Sequence, residues 1–403
     1  MPDYYLLYPD CLNFKILTPY TNYVIQINAV INLFHHHYRR FFYYFRSLIQ
    51  LSFKLQQQEL SMRATFRKIT FFTIVISVFL LASCRHRREP VLVKFAGETQ
   101  GTYYAITYYA DDSVSLQPSI DSLLHRFDST ASTYKPNSII SRLNNNDISA
   151  RADHMFTTIF QKAMEVSEKT GGAFDITVGP LVSAWGFGLS NRMKMNQHIV
   201  DSLMPLVGYK KVKLDKGWLL KNDPRMRIDF NAIAQGYAVD VVAAFLDSKG
   251  IQSYLIDIGG EVLARRTKPG GEKWNVAIEM PTKNSDDPRN VQAIVALQDM
   301  AISTSGSYRK FYEENGIRYS HTIDPANGFP VKHSLLSVSV VAKDCMTADA
   351  YATALMVMGV EKGKEFLKNQ RHLKLDAYFI YNTPDGKMQT YFTKGFDKLL
   401  KKQ

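Results

Sequence analysis

From residue 91 onward the chain shows two hydrophobic rhythms. Val, Tyr and Thr crowd residues 91–96 and 102–109, with Gly97 and Gly101 between them, which predicts a pair of strands. Ile120, Leu123, Leu124 and Phe127 recur at helical spacing, as do Phe156, Ile159, Phe160, Ala163 and Met164 ahead of Gly171-Gly172. Further strands are predicted at 227–230, 254–258, 274–279, 293–297 and 337–342. Helices are predicted over 232–249 and 347–358, stopped by Gly250 and Gly359. Residues 131–144 read as loop around Lys135-Pro136-Asn137. A Pro384-Asp385-Gly386 turn between 377–381 and 388–392 predicts a closing hairpin. Helices and strands that do not strictly alternate, with hairpin-length turns, predict an α+β fold of mostly antiparallel sheets with packed helices.

Upstream of residue 91 the pattern changes. Arg63, Arg67 and Lys68 precede an apolar run over 69–83, and Leu81-Ala82-Ser83-Cys84 closes it. The run is shorter than the roughly 20 apolar residues of a membrane span. A basic head and a short apolar body suit a secretory signal, a short membrane anchor being the alternative. Residues 62–83 are then a lipoprotein signal peptide, Cys84 the lipidated first residue, 84–92 a basic tether and 93–403 the folded domain. Residues 1–61, rich in Tyr, Phe and His without a period, read as an upstream extension ahead of a true start at Met62, or else as a membrane-surface segment. This organisation predicts a protein of the cell envelope, held to the membrane by lipid and facing the periplasm, the inner membrane being preferred.

Charge and cysteine usage narrow the classes. Of the net +12, residues 1–83 contribute +5, and Arg85, Arg87 and Arg88 of the tether contribute much of the rest. No Lys/Arg stripe interleaved with aromatics runs through residues 93–403, which argues against nucleic acid as a partner. Cys345 is the one cysteine after Cys84, so neither an intramolecular disulfide framework nor a cysteine zinc site is available there.

Residues 321–330, HTIDPANGFP, are the most strongly punctuated stretch. Asp324-Pro325 and Asn327-Gly328 shape a sharp loop, and His321 with a nearby carboxylate is a candidate acid/base near neutral pH or a structural loop histidine. Asp349 and Thr353 lie four apart on one helix face. One carboxylate and one hydroxyl make a sparse oxygen set of the kind magnesium uses when phosphates and water complete its shell, or they are a dipole-favoured acid and a back-bonding threonine. Gly259-Gly260-Glu261 after a strand is either a close backbone approach to a ligand or a tight turn. Gly171-Gly172-Ala173-Phe174-Asp175 could set an aromatic and a carboxylate beside a flat ring, or be a helix cap and a core Phe. Asp229 and Gln235 flank a strand-to-helix turn, with Asp240 one turn on. The chain has neither GxGxxG nor GxxxxGK[ST].

Eight ordered stretches together resemble the FAD:protein FMN transferase, or ApbE, family. They are QGTYYAI (100–106), STYKPNSIISRLN (132–144), GGAFDITVGPLVSAWGFG (171–188), IDFNAIAQGYAVD (228–240), IDIGGE (256–261), STSGSYRKF (303–311), SHTIDPANGFP (320–330) and CMTADAYATAL (345–355). The resemblance implies an α+β domain with a T-fold-like duplicated core and two lobes around a flavin cleft. It implies a magnesium-dependent enzyme that moves FMN from FAD to a Thr or Ser hydroxyl of a flavoprotein and releases AMP. The implied acceptors are subunits of NADH:quinone reductases or RNF-type complexes. Carried over by motif position, Asp349, Thr353 and the carbonyl of Ala232 would hold the magnesium. Gln100, Tyr134, Ala173, Phe174, Asp175, Asp229 and Gln235 would line the FAD site, with His321 near the pyrophosphate. His321 and Asp349 are the implied catalytic pair. Three positions depart from the family pattern: Gln235 for Lys or Glu, Asn327 for Thr, and Gln100 for Met. The alternatives are a magnesium-dependent FAD pyrophosphatase giving FMN and AMP, and a non-enzymatic FAD-binding lipoprotein.

Overall fold

The computed structural model describes residues 45–49, 72–73 and 89–402, except 189–191, 283–289, 308–310 and 315–316. Two compact units divide the chain, residues 1–87 and 88–403. The signal peptide apart from residues 72–73, its cleavage motif, and Cys84 lie outside the described residues. Among the described residues no helix is long and apolar enough to cross a membrane.

The second unit begins with β1 (Val91–Thr99) and β2 (Thr102–Ala110), then α1 (Gln117–Ala131), α2 (Ile139–Asn144) and α3 (His154–Lys169). Next come α4 (Gly179–Ala184), α5 (Gln197–Leu203), the hairpin β3 (Val212–Asp215) and β4 (Trp218–Lys221), and α6 (Ala234–Ser248). After them run β5 (Ser253–Ile258), β6 (Glu261–Arg265), β7 (Trp274–Glu279), β8 (Val291–Leu297), β9 (Met300–Gly306), β10 (Phe311–Glu314) and β11 (Ile317–Ser320). The chain closes with β12 (Leu335–Ala342), α7 (Cys345–Asn369), β13 (Asp376–Asn382), β14 (Met388–Phe392) and α8 (Lys394–Asp397).

Eight strands form one sheet in the order β1-β2-β5-β6-β9-β12-β13-β14, every neighbouring pair antiparallel. This is the mostly antiparallel α+β architecture the residue pattern predicts. Both faces of the sheet are covered. Tyr104, Ile106, Tyr254, Ile256 and Ile258 join the core beneath the helices. Val262, Ala264, Ile302 and Val341 point the other way, into a second cluster with Trp274, Val295 and Phe396. Central strands are therefore buried along nearly their whole length, as in β6 and β12, while β5 keeps a strict alternation.

Three local readings need correction. Residues 139–144, expected as loop, form α2, because Ser138 caps it by accepting the Ser141 N–H and Ile140 and Leu143 are buried. Residues 227–230 form no strand. Their bonding is taken instead by the Asn144 side chain, which accepts from Ile228 N–H at 2.8 Å and donates to the Ile228 carbonyl at 2.8 Å. Gly359 does not end α7. It takes φ 75° and breaks the helix, which then resumes to Asn369. His333 bonds the Met356 carbonyl at 2.6 Å beside that break.

Candidate active site

The start of α7 is built by α6. Both oxygens of Asp240 accept backbone N–H groups of α7, from Cys345 and Met346, each at 2.8 Å. Asp344, the N-cap, accepts the Thr347 N–H at 2.8 Å. Gly236 lets the two helices touch: a Cβ there would collide with the Cys345 carbonyl and lie 2.8 Å from the Asp349 Cβ. This packing fixes Asp349 and Thr353 on one turn-spaced face of α7.

Asp349 is 6% exposed and accepts the Gly236 N–H through Oδ2 at 3.0 Å. In a regular helix that N–H would return to the Ala232 carbonyl. Among the described residues no hydrogen bond ends on that carbonyl, which is left as an oxygen donor at the head of α6. Thr353 pairs its hydroxyl with Ser305 of β9 at 3.4 Å.

A second carboxylate stands beside Asp349. Glu261, the first residue of β6, is 8% exposed; Oε1 accepts the Ser303 hydroxyl at 3.4 Å, while buried Oε2 has no partner. Burial, against which the Gly236 and Ser303 bonds work, pushes the Asp349 carboxyl up to about 7. Burial and then the charge of Asp349 push Glu261 well above the usual carboxylate range. Two acids, a carbonyl and hydroxyls form a hard, all-oxygen donor set, which fits magnesium. Among the described residues no three His, Cys, Asp or Glu side chains gather into a metal-holding group, so carbonyl, hydroxyl and substrate oxygens would supply the remaining positions.

The same end of the sheet carries two tight turns. Gln100 bends the β1–β2 turn at φ 53°, and its buried Nε2 has no partner. Gly259 bends the β5–β6 turn at φ +66°. The Gln235 amide lies 2.7 Å from where its Cβ would be, so the turn admits only glycine beside Gln235 and Thr102.

Other predicted site residues sit among the helices. Tyr134 is 59% exposed, and partial burial and the Asp229 charge push its hydroxyl up. Asp229 folds back on its own turn, accepting Asn231 N–H at 2.7 Å, while its own N–H donates to the Ile176 carbonyl at 2.7 Å. Phe174 is 1% exposed, its ring lies in the main core, and the N–H groups of Gly172, Ala173 and Phe174 all donate to oxygens of Ser167 and Thr170. Ala173 is half-buried. Asp175 spends both oxygens on the protein: Oδ1 on Thr177 at 2.8 and 2.6 Å, Oδ2 on Tyr209 N–H at 2.7 Å.

His321 belongs to a third neighbourhood. Its ring meets Phe187 edge-on at 6.3 Å, over the cluster of Leu181, Trp185, Val200, Val207 and Ile323. Asp324 organises the loop below it, accepting Ala326 N–H at 2.9 Å and the Asn327 amide at 2.8 Å. Trp185 pins the loop by donating to the Gly328 carbonyl at 2.9 Å.

Taken by residue type, then, the structure gathers Ala232, Gln235, Asp349 and Thr353 in one place and sets Tyr134 beside Asp229. Sequence reasoning missed Glu261, Ser303 and Gly236 as members of the first group. The available signal was an acid directly after Gly259-Gly260 and ahead of the apolar run Val262-Leu263-Ala264.

An α+β protein with an eight-stranded antiparallel sheet and an oxygen-rich acidic site at a helix crossing defines a class that can manage a phosphate-bearing ligand. Comparison narrows the class. A family model described as ApbE family matches residues 100–379. A FAD:protein FMN transferase of Vibrio cholerae is 38% identical over 334 residues, covering 81% of this chain and 97% of its own. One from Escherichia coli is 32% identical over 348 residues, covering 82% and 97%. The solved flavin transferase ApbE of Vibrio cholerae is 35% identical and superposes with a TM-score of 0.69, covering 77% of this chain and 100% of its own. The apo flavinyl transferase ApbE of Pseudomonas stutzeri gives 0.68 at 34% identity, covering 77% and 97%. The chain belongs to the ApbE family.

Proposed function

We propose that this protein transfers the FMN half of FAD to a Thr or Ser hydroxyl of a flavoprotein and releases AMP. The family membership supports flavin transfer. The observation that carries the chemistry is the set of underused oxygens around Asp349, which suits a cation and a pyrophosphate.

Asp349, Thr353 and the Ala232 carbonyl hold magnesium in this reading. Bound there, it supplies charge neutralisation for the pyrophosphate and for departing AMP. Gln100 and Gln235 offer amides to the ligand at the turn end of the sheet. Tyr134, Ala173, Phe174 through its backbone, Asp175 and Asp229 line the flavin side, and His321 meets the phosphates. The acceptor oxygen forms a bond to the FMN phosphorus, the phosphorus–oxygen bond to AMP breaks, and the hydroxyl proton passes to Asp349 or His321. Such a transfer asks the protein for positioning and charge stabilisation more than for a nucleophile of its own. The acceptor is a subunit of an NADH:quinone reductase or an RNF-type complex. The motif ending at Cys84 supports attachment to the membrane by lipid, facing the periplasm.

The test is an intact-mass measurement on an acceptor domain incubated with the full chain, FAD and magnesium. The acceptor gains the mass of one FMN, and Asp349→Ala lowers the rate by at least about 1,000-fold. FMN and AMP free in solution, with the acceptor mass unchanged, would replace the transferase by a pyrophosphatase. FAD left intact would replace it by a flavin-binding protein.

A further inference from the structure

We propose that Glu261 is a further residue of the metal site, so that the cation held at Asp349 is countered by two carboxylates and not one; this rests on the reading of the site given above. The glutamate opens β6 immediately after the Gly259-Gly260 turn, and β9 ties it to α7: Ser303 bonds Glu261, while Ser305, two residues on and on the same face of that strand, pairs with Thr353. It is 8% exposed, yet Oε2 meets no donor, and Oε1 has only a long 3.4 Å bond from Ser303. Val262, the next residue, accepts the Cys345 thiol through its carbonyl at 3.8 Å, so the start of β6 lies against the start of α7. The Asp349 charge acts directly on Glu261, and Asp257 adds a second negative neighbour.

Among the described residues no cationic side chain is among the groups that act on either acid. A buried carboxylate without its full set of hydrogen bonds is costly, and a like charge beside it raises the cost. A structural acid would be given donors, as Asp240 is, one helix turn from Gly236, with two backbone N–H groups. Glu261 is instead left with a buried oxygen that meets no donor. A divalent cation removes the repulsion and fills the open acceptor, directly or through one of its waters.

The arrangement has a double signature. Glu261→Gln keeps the shape but removes one charge. Without metal it replaces a buried carboxyl that lacks a donor by an amide that costs less to bury, so the melting temperature of the chelator-treated protein rises by about 1–3 °C. With metal it removes a counter-charge, so affinity falls by about tenfold or more. A merely structural glutamate gives neither this sign reversal nor the affinity loss.

The experiment titrates Mn2+ into the full chain and follows the free ion by electron paramagnetic resonance, with melting curves in chelator, for the native protein, Glu261→Gln and Asp349→Asn. The inference expects weakened Mn2+ binding in both variants and a raised metal-free melting temperature in Glu261→Gln. Native-like Mn2+ affinity in Glu261→Gln, with binding lost in Asp349→Asn, overturns the inference and leaves the Asp349 metal site standing. Unchanged affinity in both variants overturns both. Weakened binding in Glu261→Gln with a lowered metal-free melting temperature also overturns it, since that is the mark of a structural side chain.

Discussion

The loop at residues 321–330 and the crossing of α6 with α7 treat their polar atoms in opposite ways. In the loop Asp324 and Asn327 satisfy each other and the adjacent backbone, with Ala326, Phe329 and Gly328 N–H groups all bonded. At the crossing an entire carboxylate oxygen of Glu261 goes unbonded, the Ala232 carbonyl loses the N–H a helix would give it, and Asp349 sits buried on few donors. A site that must receive a charged ligand keeps its bonding capacity in reserve, and a scaffold spends it. Asp349 sits in the reserve.

The largest effect that would sharpen this contrast comes from Gly236→Ala. The new methyl has to displace α7 at Cys345 and Asp349, costing about 1–3 kcal/mol of stability and dragging Mn2+ affinity down with it. Calorimetry and metal titration measure both. Stability loss with native metal affinity would separate the crossing from the site.

Next in size is a pH effect. Burial raises Asp349 and Asp240 to about 7 against an ordinary 3.8, and Glu261 moves the same way. Between about pH 4 and pH 7 the folded protein therefore holds more protons than the unfolded chain, so stability is highest below this window and falls as pH rises through it. In chelator this appears as a melting temperature that falls as pH rises, and saturating magnesium removes the share owed to Asp349 and Glu261. Melting curves from pH 5 to pH 8, roughly spanning that window, test the sign. A metal-free protein that grows more stable toward pH 8, about one unit past the raised values, contradicts it.

The smallest effect belongs to the loop. Asn327→Thr keeps a side-chain oxygen for the Phe329 N–H and loses only the contact to Asp324, so it costs under about 1 kcal/mol. FMN transfer, read by acceptor mass, stays near native. A collapse of transfer would move the loop from scaffold to machinery.

How far the sequence carried is itself explained by this contrast. Turn chemistry is local, so HTIDPANGFP stood out, as did the Asn144–Gly236 region as a set of motifs. The antiparallel α+β fold was legible because β2 and β5 keep an alternating rhythm and adjoin tight turns. The span 227–230 misled because extended, β-branched residues can be satisfied by one distant amide, Asn144, in place of a neighbouring strand. The pairing of Asp349 with Glu261 was not legible at all. It joins positions 88 residues apart on a helix and a central strand, and nothing local marks an oxygen left unbonded.

The measurement that bears most directly on the central claim is anomalous diffraction from crystals of this protein grown with Mn2+ and FAD. The account predicts a peak among Asp349, Thr353 and the Ala232 carbonyl, with Glu261 beside it. A well-occupied peak elsewhere, with the crossing of α6 and α7 bare, would contradict it.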